Sequence, residues 1–99
     1  MKENEFTILL VDDDAMDREL FVEALDQTSI KCSIEEASGG DEALAYLRNA
    51  PRTPNFIILD LNMPLKDGRE TLKEIKGHKD FRHIPVIILS TSNSHFDVL

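Results

Sequence analysis

The stretch Phe56-Ile57-Ile58-Leu59-Asp60, continuing as Leu61-Asn62-Met63-Pro64-Leu65-Lys66-Asp67-Gly68, decides the fold. Its first four residues are an unbroken apolar run that stops on a carboxylate. A strand with one wet face alternates apolar and polar side chains, whereas an unbroken run fits a strand covered on both faces, as in a parallel sheet. Such sheets bind ligands outside the carboxyl ends of their strands, so Asp60 is expected where chemistry occurs. The same device stands near the start of the chain, where Phe6–Val11 (FTILLV) runs into Asp12, Asp13 and Asp14.

Working outward, apolar blocks alternate with amphipathic ones. Asp14 is placed to cap a helix over Ala15–Asp26, its carboxylate accepting backbone N–H groups. Met16, Leu20, Phe21, Ala24 and Leu25 recur there at helical spacing, with Asp17, Arg18, Glu19 and Glu23 on the other side. A weaker strand at about Cys32–Ala37, with imperfect alternation, suits a sheet edge. Ser38-Gly39-Gly40-Asp41 then starts a helix to about Arg48 that buries Ala43, Leu44 and Leu47. Pro51 and Pro54 make Asn49–Asn55 a connector. After the Phe56–Asp60 strand, a helix from Gly68 to about Lys76 buries Leu72 and Ile75 and ends at Gly77. Pro85–Ser90 (PVIILS) is the fourth strand, its proline at the first residue where no ladder bond is lost. A further helix is expected to begin at about Asn93. The order β-α-β-α-β-α-β predicts an α/β fold, a doubly wound sheet that right-handed crossovers make mostly parallel.

Composition narrows the function. The chain has 99 residues, enough for one domain, and a net charge of −8 from 11 basic and 19 acidic side chains. That balance argues against nucleic acid as a partner, which needs Lys and Arg to neutralise phosphates, and against an anionic membrane surface. The single cysteine, Cys32, allows no internal disulfide and no cysteine zinc site, and reads as a small strand residue. The polar, acidic start MKENEF lacks the pattern of a signal peptide, and no apolar run approaches a membrane span, so a cytoplasmic protein is expected. His78, His83 and His95 lack metal-ligand spacing and read as surface or loop residues. Tyr46 reads as a packing residue with an exposed hydroxyl, and Gly39-Gly40 as a loop signal.

Asp12, Asp13 and Asp60 are expected to converge at the carboxyl edge of adjacent strands. Three carboxylates at close range repel one another, and burial worsens this unless a cation offsets it. Hard oxygen ligands suit Mg²⁺, Mn²⁺ or Ca²⁺. Mg²⁺ typically takes only one or two carboxylates along with waters and phosphate oxygens, so a pocket with few ligands suits a metal plus a phosphate. Ser90, at the end of the fourth strand, adds a hydroxyl that can donate to a phosphoryl oxygen. The plainer reading has Thr91, Ser92, Asn93 or Ser94 capping the next helix, and both roles are expected, with Ser90 the functional one. A lone Asp after a strand is most often a turn or cap residue, as Asp14 is expected to be. Two strands ending in acids with a strand-end hydroxyl form a far more specific constellation.

With Asp12-Asp13 after ILLV, ILDLNMPLKDG at Ile58–Gly68 and PVIILSTS at Pro85–Ser92, the chain resembles the CheY-like receiver domain of two-component response regulators. LDLNMPLKDGRETLKEIK with HIPVIILSTS looks most like the small stand-alone receivers paired with phytochrome-type sensor kinases. The resemblance implies a flavodoxin-like sheet and Asp60 as the acceptor of a phosphoryl group from a sensor histidine kinase. It implies Mg²⁺ bound directly by Asp13, mainly through water by Asp12, and by the backbone carbonyl of Asn62, with Asp60 completing the site. Ser90 fits the family's switch position. Met63-Pro64 and Asp67-Gly68 would shape the loop, Pro64 fixing φ and Gly68 permitting a tight start to the helix. Such a protein is a self-limited switch rather than an enzyme with external turnover.

The resemblance covers Phe6 to about Ser92. Family members continue through a fourth helix, a fifth strand ending in a lysine before a proline, and a fifth helix. Lys66 and Lys79 lie in the wrong elements to serve as that lysine. The expectation is therefore one receiver domain over residues 1–99, cut in or before its fourth helix, with strand order 2-1-3-4 and the fifth strand absent. A naturally short chain would leave Pro85–Ser90 as a bare apolar edge, and is expected to cover it as a homodimer or by exchange of segments. Two other functions compete. One is a degenerate receiver acting only as a protein-interaction module. The other is a haloacid-dehalogenase-type phosphatase, which wants an Asp two residues after its nucleophile, where this chain has Asn62.

Overall fold

Three apolar runs lie side by side at the centre of a parallel sheet in the computed structural model, which describes residues 6–61, 68–90 and 95–98, the side chains of residues 90 and 95–98 excepted. The elements are β1 (Phe6–Val11), α1 (Ala15–Asp26), β2 (Cys32–Ala37), α2 (Gly40–Asn49), β3 (Phe56–Asp60), α3 (Gly68–Gly77), β4 (Val86–Ser90) and β5 (His95–Val98). The strand order is β2-β1-β3-β4-β5. The first four strands are mutually parallel, as the crossover rule predicts. The flavodoxin-like order 2-1-3-4 expected from the sequence is therefore present.

The period-2 alternation of the central strands divides the core into two layers. Leu9, Val11, Ile57, Leu59, Val86 and Ile88 point to one face and pack with Ala43, Leu44 and Leu47 of α2, Ile75 of α3, and Phe81 and Ile84 beyond it. Ile8, Leu10 and Ile58 point to the other face, where Phe21 and Leu25 of α1 reach them. The two layers are unequal. The first holds most of the buried side chains, whereas α1 buries none of its residues. Met16 and Leu20, expected in its buried stripe, are exposed, with Phe21 and Leu25 making the contact instead. Among the described residues, α1 packs on that face, whereas α2 and α3 pack on the other.

The far edge departs from expectation as well. A helix was expected from about Asn93, but His95–Val98 forms β5, which runs antiparallel to β4 with Ser90 opposite His95 and Ile87 opposite Val98. An apolar strand with unpaired N–H and C=O groups on one side is satisfied by any segment able to pair with it. Here the chain's own segment pairs with β4, the edge for which the sequence suggested a second chain. Among the described residues, no helix is long and apolar enough to cross a membrane.

Candidate functional site

The register brings the acids together. Val11 pairs with Leu59 and Asp60 with Leu89, so Asp12 and Asp60 emerge next to each other where β1 and β3 end. The Asp12 N–H donates to the Ala37 carbonyl at 3.0 Å, carrying the β1–β2 ladder one residue further and fixing where Asp12 begins its turn. Asp12 and Asp60 are buried, at 2% and 4% exposure, while Asp13 is exposed. One carboxylate oxygen from each of the three lies within 4.8 Å of the other two. Three of the five predicted site residues therefore meet.

The other two are only partly placed. Ser90 ends β4 at the same edge of the sheet, one residue past the Asp60–Leu89 pair. Its side chain and the whole of Asn62 lie outside the described residues, as do Met63, Pro64 and Asp67 and the candidate caps Thr91, Ser92, Asn93 and Ser94.

The turn after β1 is built by its own carboxylates. Asp12 Oδ1 accepts the Asp14 N–H at 2.9 Å, and Asp14 Oδ1 accepts the Met16 N–H at 2.9 Å, which makes Asp14 the cap of α1. Burial pushes the Asp12 carboxyl up from 3.8 to about 6. The Asp14 N–H opposes that rise, while the negative charges of Asp60 and Asp17 and a side-chain hydrogen bond with Asp60 add to it. A buried carboxyl held this far up beside two other carboxylates is a group that an added cation would stabilise as an anion. The donor set is all carboxylate oxygen, which suits a hard divalent ion such as Mg²⁺ or Mn²⁺.

Two features escaped the sequence. Gly68 opens α3 directly under the site. A Cβ there would lie 2.5 Å from the Asp60 carbonyl oxygen and 2.6 Å from the Leu61 Cα, so only glycine allows α3 to start against this backbone. The sequence suggested a tight helix start but not this contact. Arg18 was placed on the solvent side of α1. Its side chain is only 16% exposed, with Nε donating to Glu36 Oε1 at 2.9 Å and Nη1 to the Asp12 carbonyl. Its helical spacing gave no hint of partners in the turn after β1 and on β2.

Known proteins match this arrangement. Residues 8–99 match the family described as response regulator receiver domain. The response regulator Rcp1 of Synechocystis sp. is 44% identical over 98 residues, covering 93% of this chain and 66% of that protein. The phosphorylated cyanobacterial phytochrome response regulator RcpA superposes with a TM-score of 0.80 at 41% identity, over 88% of this chain and 66% of that one. The Mn²⁺-bound form of Rcp1 gives 0.79 at 41% identity, over 87% and 66%. The chain thus spans just under two thirds of the length of each. A sheet of parallel order 2-1-3-4, an acid cluster at its carboxyl edge and the match over residues 8–99 lead to one conclusion: the chain belongs to the response regulator receiver domain family.

Proposed function

We propose that this chain is a phosphorylatable switch in which Asp60 accepts a phosphoryl group from a phosphohistidine of a sensor kinase. The convergence of Asp12, Asp13 and Asp60 within 4.8 Å carries this reading. In the transfer, an Asp60 carboxylate oxygen attacks phosphorus in line, the bond from phosphorus to the histidine nitrogen breaks, and the imidazole leaves with that electron pair. Bound Mg²⁺ would supply neutralisation of the charge on the equatorial oxygens. Asp13 would hold it directly, Asp12 mainly through water, and Asp60 and the Asn62 carbonyl would complete the protein ligands. The Ser90 hydroxyl would donate to the phosphoryl oxygen once it is present. The phosphorylated state of RcpA and the Mn²⁺-bound form of Rcp1 support both halves of the reading, and the phytochrome association of RcpA favours a kinase of that type. The setting proposed is cytoplasmic, where sensor kinases present their phosphohistidine.

Acetyl phosphate with Mg²⁺ tests the assignment by intact mass. The protein should gain one phosphoryl group, and Asp60→Asn should gain none. An adduct retained in Asp60→Asn, or no adduct on the unmodified protein, would remove Asp60 as acceptor. Sustained turnover of added phosphate esters would favour the phosphatase instead, although Asn62 lacks the acid that chemistry uses.

A further inference from the structure

We infer that Arg18 is a positioning residue for the divalent-cation site, acting through the backbone that joins Asp12 to Asp13; the inference rests on the metal-site reading above. One guanidinium spans three elements. It is carried by α1, its Nη1 donates to the Asp12 carbonyl where β1 ends, and its Nε donates to Glu36 near the end of β2 at 2.9 Å. Its own backbone N–H donates to the Asp14 carbonyl at 3.1 Å, so both ends of the residue grip the turn that carries the acids.

The Asp12 carbonyl belongs to the same peptide plane as the Asp13 N–H. With the Asp12 N–H held by Ala37 and the Asp12 carbonyl held by Arg18, the peptide planes on both sides of Asp12 are fixed. Asp13 is exposed, so the direction of its carboxylate depends on that backbone rather than on packing. The guanidinium is a planar fork whose donors point in fixed, different directions, and it serves both acceptors together. Glu36 matches the charge of the guanidinium, so the clamp orients the site without adding net positive charge to it.

Charge and position predict opposite signs here. Removing a cation beside a cation site would tighten metal binding if only Coulomb forces mattered. Losing the clamp would weaken it. The experiment is a Mn²⁺ titration of the whole chain, with free ion followed by electron paramagnetic resonance, on the unmodified protein, Arg18→Met and Arg18→Lys. Thermal melts in EDTA report folding in parallel. Both variants should bind Mn²⁺ about tenfold more weakly, in the range seen when groups orienting metal ligands are removed. Arg18→Lys should fail to restore affinity, because its ammonium lacks the fixed, planar fork that sets the guanidinium's two bonds in direction. A merely structural role would lower the melting temperature and leave the affinity of the folded protein unchanged.

Unchanged or tighter binding by either folded variant, full rescue by Lys included, would overturn the inference. If Arg18→Met fails to melt cooperatively, Arg18→Lys decides by itself. Should the unmodified protein bind no Mn²⁺, the metal-site reading falls and this inference with it. Normal binding with unaffected variants removes only the role of Arg18.

Discussion

At the scale of single residues, Asp12 is where folding and the site conflict. Its folded carboxyl sits at about 6 against an ordinary 3.8, so without metal the folded state holds a proton more tightly than the unfolded one. Stability from this group is therefore full below pH ~4 and lost as pH rises through ~6. Raising this carboxyl from 3.8 to about 6 corresponds to roughly 3 kcal/mol. In EDTA, urea unfolding should show stability falling from pH 4.5 to 7.5, and Asp12→Asn should flatten that fall and gain up to about 3 kcal/mol at the upper end. An identical pH profile in Asp12→Asn would refute the burial argument. The acids were legible because each ends an apolar strand, a local pattern. Arg18 was not, because its acceptors are a backbone carbonyl six positions back and a carboxylate 18 positions on.

Among the elements, the two faces of the sheet differ in what they demand of their helices. Leu59 is fully buried between β3 and the α2–α3 layer, whereas Leu20 of α1 is 58% exposed. Leu59→Ala should cost about 2–5 kcal/mol by cavity formation, and Leu20→Ala should stay within about 0.5 kcal/mol. Chemical denaturation of both variants checks this; a large loss at Leu20 would mean that α1 buries more than its exposure shows. Helical spacing shows that α1 has an apolar stripe, but not how much sheet lies beneath it. The same limit explains β5. His-Phe-Asp-Val has an aromatic and a β-branched residue suited to a strand. What selects the strand is the open edge of β4, a feature of the assembled sheet.

For the whole molecule, a net charge of −8 with three carboxylates gathered at one edge makes divalent cations stabilising ligands. An ion that binds only the folded state adds about 2.7 kcal/mol at a hundred times its Kd. Mg²⁺ should raise the melting temperature by about 10 °C or more at that saturation, using about 4–8 °C per kcal/mol for a domain of this size. NaCl at equal ionic strength should do much less, and Asp13→Asn should abolish the difference. Equal shifts in both salts would show screening alone. By itself the sequence determined the four parallel strands, their alternation with helices and the acids at their ends, since hydrophobic period and strand-end chemistry are local. The expected convergence of Asp12, Asp13 and Asp60 is present, but only the tertiary structure decided that Gly68 must press on the Asp60 backbone, that Arg18 turns inward to hold Asp12, and that β5 pairs antiparallel with β4. Those contacts join residues distant in the chain, and register and packing bring them together where no local pattern can.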